Sequence, residues 1–98
     1  MAPASGARIF VQHKPAGIAV LVTPWNFPAA MATRKIGPAL AAGCPVVLKP
    51  ASDTPLTMLA LMPALEEAGV PPGVVNVIPS RRSGPVVSAM LHDSRVRV

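Results

Sequence analysis

Acidic side chains are scarce in this chain. Four stand against nine lysines and arginines, and charged residues make up only 13% of its 98 positions. A small domain has much surface for its volume and normally spends charge on it. The shortage fits either a compact alanine-rich domain or a surface meant to lie under further chain, and we expect the second. Cysteine is nearly missing, and Cys44 alone excludes an internal disulfide or a multi-cysteine metal site. Phe10, Trp25 and Phe27 are the only aromatics, too few for a base-stacking platform. The net charge of +5 therefore does not point to nucleic acid. Its cations are scattered from Arg8 to Arg97, and a modest excess suits a ligand bearing phosphates. No apolar run reaches the roughly 18 residues of a membrane helix, and residues 1–9 lack a secretory leader pattern. A cytoplasmic setting is expected, with the mitochondrial matrix equally open and no membrane partner.

What is present is alternation. Residues 1–7 read as a loose end, and 8–98 as one partial domain. Arg8 to Lys14 reads as a strand, and Pro15-Ala16-Gly17 turns the chain. Ile18 to Val22 is a continuous apolar run, as in a strand buried on both faces. Pro28 opens a helix over 28–42, Gly43 closes it, and Pro38 predicts a kink or two abutting helices. Pro45 to Lys49 is the next strand. Asp53 or Thr54 should cap a helix that begins at Pro55, runs to Ala68 and stops at Gly69, with a distortion at Pro63. Val74 to Ile78 is a third strand, 84–91 a weak helix, and Arg95 to Val98 the start of a fourth strand. Strands alternating with helices specify an α/β fold, a partial Rossmann-like parallel sheet with helices on its faces.

Ligands of such sheets bind outside the carboxyl ends of the strands. Asn26 and Lys49 occupy two of those ends. By pattern alone Asn26 is more readily a turn or capping residue. An amide there could also donate to a developing oxyanion. Lys49 could snorkel to solvent or contact a ligand. Adjacent Arg34 and Lys35 ordinarily mark a solvated helix face. Cys44, between Gly43 and Pro45 with no histidine beside it, is structural. His13 and His92 have no metal-ligand spacing.

The blocks Pro24-Trp25-Asn26-Phe27-Pro28, Gly37-Pro38-Ala39-Leu40-Ala41-Ala42-Gly43 and Leu48-Lys49-Pro50-Ala51, in this order and spacing, closely resemble the NAD(P)-dependent aldehyde dehydrogenase superfamily. The likeness runs from Lys14 to the C-terminus. It implies that Asn26 stabilises the oxyanion of a thiohemiacetal, and that Lys49 hydrogen-bonds the adenosine ribose. Thr23, Pro24 and Trp25 would line the groove for the cofactor's pyrophosphate and ribose. Thr33-Arg34-Lys35 and Asn76-Val77-Ile78-Pro79 resemble the succinate-semialdehyde dehydrogenase branch. There the residue matching Arg34 binds the substrate's distal carboxylate, and the one matching Lys35 assists proton transfer near the nucleophile. Ser52 stands where the family commonly has glutamate. A neutral hydroxyl there does not repel a 2′-phosphate, so NADP is expected to be tolerated beside NAD.

The family nucleophile lies in a Gly-Gln-x-Cys context, and neither it nor the general-base glutamate occurs here. The expectation is a fragment of an enzyme that oxidises a small aldehyde, with succinate semialdehyde as its substrate, and that is a homo-oligomer when intact. By itself the fragment should be inactive. A non-catalytic nucleotide-binding fragment and an inert truncated product are the alternatives. Ser80-Arg81-Arg82-Ser83-Gly84 replaces the commoner Gly-rich turn and leaves the adenine-side contacts open.

Overall fold

The structure, a computed structural model, describes residues 6–98. Its elements are β1 (Ala19–Val22), α1 (Pro28–Ala41), β2 (Val46–Lys49), α2 (Pro55–Glu67), β3 (Val75–Val77) and α3 (Ser83–Leu91). The strands form a parallel sheet in the order β1-β2-β3, with Val22 opposite Lys49 and Val46 opposite Val75. Parallel neighbours require crossovers, which α1 and α2 supply.

The anticipated start of a fourth strand is a single parallel bridge, Ile18 to Val96, on the outer side of β1. Ile18 N–H donates to the Arg95 carbonyl at 3.0 Å, Arg97 N–H to the Ile18 carbonyl at 3.0 Å, and Val20 N–H to the Val98 carbonyl at 2.8 Å. The spatial order is thus β3-β2-β1-(95–98), and the direction of build-up reverses at β1. Gly17 permits this close approach. Its φ is +138°, and a Cβ there would stand 2.7 Å from Arg97 Cγ and 2.9 Å from the Arg95 carbonyl oxygen.

Asp93 anchors this last segment. Its Oδ1 accepts from Arg95 Nε and from Arg95 N–H, both at 2.9 Å, and its Oδ2 accepts from Arg95 Nη2 at 2.6 Å. The side-chain bonds from Arg95, followed by the backbone bond, hold the Asp93 carboxyl well below the usual carboxylate range. A carboxyl depressed on folding favours the folded segment at pH above its unfolded value, and that benefit fades as pH falls toward its folded value. Asp93→Asn should therefore speed hydrogen exchange at the Ile18 and Arg97 amides at neutral pH. In the parent chain acidification below the ordinary carboxylate range should lower the protection of the same amides relative to their unstructured rates at that pH. Unchanged exchange in the variant would show that the clamp is dispensable.

Alternation along the strands divides the two faces. Ala19, Leu21, Val46 and Leu48 point to the side where α1 brings Ala32 and Ile36 and α2 brings Met58, and all are buried. Val20 and Val47 point the other way, into a groove shared with Ile78 and with Ala89 and Met90 of α3. No residue of α3 is buried. The expectation that β1 is buried on both faces is therefore corrected. Val20 is only half-buried and Val22 is 43% exposed, because one helix covers the second face in part.

Three further expectations change. Arg8 to Lys14 forms no strand. Ile9, Phe10 and Val11 are 69, 90 and 79% exposed, and among the described residues no strand lies alongside to pair their backbone. α1 is one helix that contains Pro38. The missing N–H costs a single hydrogen bond three residues before the helix ends, and Gly43, at φ +76°, closes it by donating to the Leu40 carbonyl at 2.9 Å. Thr54 is the N-cap residue of α2, but its hydroxyl makes no capping bond, and Oγ1 is buried without a partner. Among the described residues no helix is long and apolar enough to cross a membrane.

Candidate functional site

Three loops leave the carboxyl ends of the strands along one rim of the sheet: 23–27 after β1, 50–54 after β2 and 78–82 after β3. Thr23 N–H donates to the Lys49 carbonyl at 3.3 Å, tying the first loop to the end of β2, and the Thr23 side chain is buried. Pro24 is exposed and Trp25 is 66% exposed, so neither serves the core.

Asn26 does not cap α1. That place belongs to Phe27, whose φ of +52° and ψ of +55° put it in the left-handed region, with no side-chain cap bond. An aromatic residue there is costly, roughly 1–2 kcal/mol, and such strain gathers at functional sites. Phe27 is 69% exposed, so burial does not offset the cost. The turn separates Asn26 from the helix. Its amide is exposed and makes no side-chain hydrogen bond among the described residues.

Lys49 is the opposite case. It is 2% exposed, and its only hydrogen bond among the described residues runs from Nζ to Ser52 Oγ at 3.4 Å. An ammonium has three N–H donors and is expensive to bury unsatisfied. Ser52 links both neighbouring loops by donating to the Ser80 carbonyl at 3.0 Å, with its Oγ 3.3 Å from Ser83 Oγ. Ser52, Pro55, Pro79, Ser80 and Arg81 line a cleft of about 280 Å³ at this end of the sheet. The sequence reading missed Ser83 and Arg81 as neighbours of Ser52, since 28 or more positions separate them. Two arginines directly after Pro79-Ser80, beyond a strand end, were the available signal.

Arg34 and Lys35 belong to a different cleft. With Lys14 they line a space of about 380 Å³ whose remaining wall includes Leu21, Ala39 and Cys44. Lys35 Nζ also donates to the Val22 carbonyl at 2.5 Å, reaching the end of β1. The structure thus joins Lys49 to Ser52 and Arg34 to Lys35. Asn26 stands on the rim with the first pair and shares no hydrogen bond with either. Cys44 is buried, 4% exposed, at the amino-terminal approach to β2.

Residues 1–98 match the aldehyde dehydrogenase family over their whole length. The chain belongs to that family. It is 53% identical over 95 residues to a succinate-semialdehyde dehydrogenase of Paenarthrobacter nicotinovorans, a match that covers 97% of this chain and 21% of that one. It is 58% identical over 80 residues to the mitochondrial succinate-semialdehyde dehydrogenase of Homo sapiens, covering 82% of this chain and 15% of the relative. Among solved structures it superposes on an E. coli NADP dependent enzyme with a TM-score of 0.80 at 53% identity, covering 85% of this chain and 17% of that one. The chain therefore spans about a fifth, or less, of the length of these aldehyde dehydrogenases. The resemblance drawn from Pro24 to Ala51 and the α/β assignment both hold.

Proposed function

We propose that this chain forms the cofactor-bearing rim and the oxyanion side of an enzyme that oxidises a small aldehyde, succinate semialdehyde, to its carboxylate with NAD or NADP. The observation that carries the reading is Lys49, a buried ammonium at a strand's carboxyl end with one long contact to Ser52. The residues fit a dinucleotide. Lys49 has donors to spare for ribose hydroxyls, and the partnerless Oγ1 of Thr54 lies two residues beyond Ser52. Thr23, Pro24 and Trp25 line the path from there toward β1, and rim position beside a reversal in strand order is where doubly wound sheets hold ligands. When bound, the nicotinamide supplies the hydride acceptor.

The other residues have separate tasks. Asn26 donates its amide N–H to oxygen as negative charge gathers there. Arg34 offers a guanidinium fork to a distal carboxylate, with an apolar wall beside it to accept a short methylene chain. Lys35 assists proton transfer from the end of β1. Cys44, buried at the opposite end of β2, is not the nucleophile, which the intact enzyme supplies from elsewhere. Such an enzyme is a homo-oligomer in a cytoplasmic or matrix setting.

Lys49→Met tests the reading. Titrating the 98-residue chain with NADPH, followed by fluorescence, should show about a tenfold loss of affinity or more, the worth of a hydrogen bond to a charged donor. The melting temperature should not fall, because methionine keeps the volume and removes a poorly compensated buried charge. Undiminished affinity in the folded variant would take Lys49 off the cofactor rim.

A further inference from the structure

β1 alternates its backbone bonds between two neighbours. Ala19 and Thr23 donate inward, to the Pro45 and Lys49 carbonyls. Ile18 and Val20 donate outward, to the Arg95 and Val98 carbonyls, and the Ile18 carbonyl accepts from Arg97. The same alternation puts the Val22 carbonyl on the outer flank, one step past the bond to Val98. There it accepts from Lys35 Nζ at 2.5 Å, the only hydrogen bond of that side chain among the described residues. No carboxylate among the described residues pairs with Lys35. A carbonyl at the end of a strand thus has for its partner an ammonium carried by the helix that follows.

This bond closes a ring. Val22 is the last residue of β1, and Lys35 lies about two turns into α1. The turn 23–27 is therefore tied, at its entry, to the helix in which it ends. Within the ring the side chains give the turn little support. Pro24, Trp25, Asn26 and Phe27 are all exposed, and none makes a side-chain hydrogen bond among the described residues. Yet Phe27 holds a φ of +52°, a conformation that persists only where its surroundings over-determine it. That constraint comes from the stem of the turn. Thr23 N–H donates to the Lys49 carbonyl, Met31 N–H donates to the Phe27 carbonyl at 2.9 Å, and Lys35 holds Val22. Of these three bonds only the last is made by a side chain.

We propose that Lys35 is a positioning residue for Asn26: its bond to the Val22 carbonyl fixes the stem of the 23–27 turn and so holds the Asn26 amide in one place on the rim. The assignment rests on the reading of Asn26 as the oxyanion donor. It is a task separate from proton transfer, because the ammonium keeps its protons while it holds the carbonyl.

Two measurements test the assignment. In the 98-residue chain, NMR should show the strong intraresidue amide-to-Hα NOE of a left-handed Phe27. Lys35→Met should weaken that signal and speed hydrogen exchange at the Thr23 amide about tenfold, the scale of one hydrogen bond to a charged group. The thermal melt should match the parent, because Lys35 is exposed. Lys35→Arg, which also offers a permanently protonated donor, should restore both readouts. In the intact enzyme Lys35→Met should lower kcat about tenfold when Asn26 is present, on the same scale. In the Asn26→Ala background it should change kcat little, since nothing is left to position. A turn undisturbed by Lys35→Met would overturn the proposal. So would equal fold-losses of kcat in the two backgrounds, which would leave Asn26 as the donor and Lys35 as a proton-transfer group alone. Should Asn26→Ala by itself leave kcat intact, the oxyanion reading would fail and the positioning role would fall with it.

Discussion

Asn26→Ala is expected to lower kcat of the intact enzyme by about a hundred- to a thousandfold, the loss typical when one preorganised oxyanion donor is removed. Dinucleotide affinity should stay where it was, because Lys49 and Ser52 lie at the end of another strand. The amide is well prepared for the task. Phe27 takes the N-cap position in a left-handed conformation, so Asn26 spends no hydrogen bond on the helix or on its own turn among the described residues. A donor already engaged would have to break that bond before it could serve. Asn26→Asp should be no better than alanine, since an ionised carboxylate only accepts and would repel the developing charge. Steady-state kinetics together with a binding titration on the same variants separates the two effects. An Asn26→Ala enzyme that keeps its kcat would end the oxyanion assignment.

Leu48→Ala should cost about 2–5 kcal/mol and remove most of the chain's stability, bringing the melt down steeply toward room temperature. Leu48 is wholly buried at the centre of β2, opposite Leu21 on one side and Val77 on the other. The core among the described residues numbers nine: Ala19, Leu21, Ala32, Ile36, Cys44, Val46, Leu48, Met58 and Val75. A cluster that small gives no reserve, because domains of this size hold stability at the lower end of the usual range of roughly 5–15 kcal/mol. Leu59→Ala, at a position 40% exposed on α2, is the matched control and should shift the melt only slightly. Circular dichroism with a thermal melt reads both. Comparable melts for the two variants would mean that the sheet is not the seat of stability.

Strand and helix positions were legible because proline and glycine punctuate this chain at the places where the backbone needs them. Pro28 and Pro55 start helices, Gly43 and Gly69 follow helix ends, and the apolar runs between them are the strands. The failures share a cause. Arg8 to Lys14 has the composition of a strand, but a strand exists only where a neighbour completes its hydrogen bonds, and composition does not reveal the neighbour. Full burial of β1 failed likewise, because the apolar run says what a face could accept and not what lies against it. At the site, Asn26 and Lys49 were readable from strand ends, and their family likeness supplied roles for them. Ser83 and Arg81 were not, since their meeting with Ser52 depends on how the loops after β2 and β3 approach each other. Pro38 does not split α1 into two helices. Its position late in α1 makes its missing donor nearly harmless.

The seating of residues 95–98 against β1 bears on how the sheet assembles. β1 is made well before the segment that fills its outer flank. Until residues 95–98 arrive, the backbone donors and acceptors on that flank have only water or a foreign chain to pair with, and open sheet edges invite association. Cutting the backbone just before Arg95 would reopen that edge and do harm out of proportion to the few bonds lost.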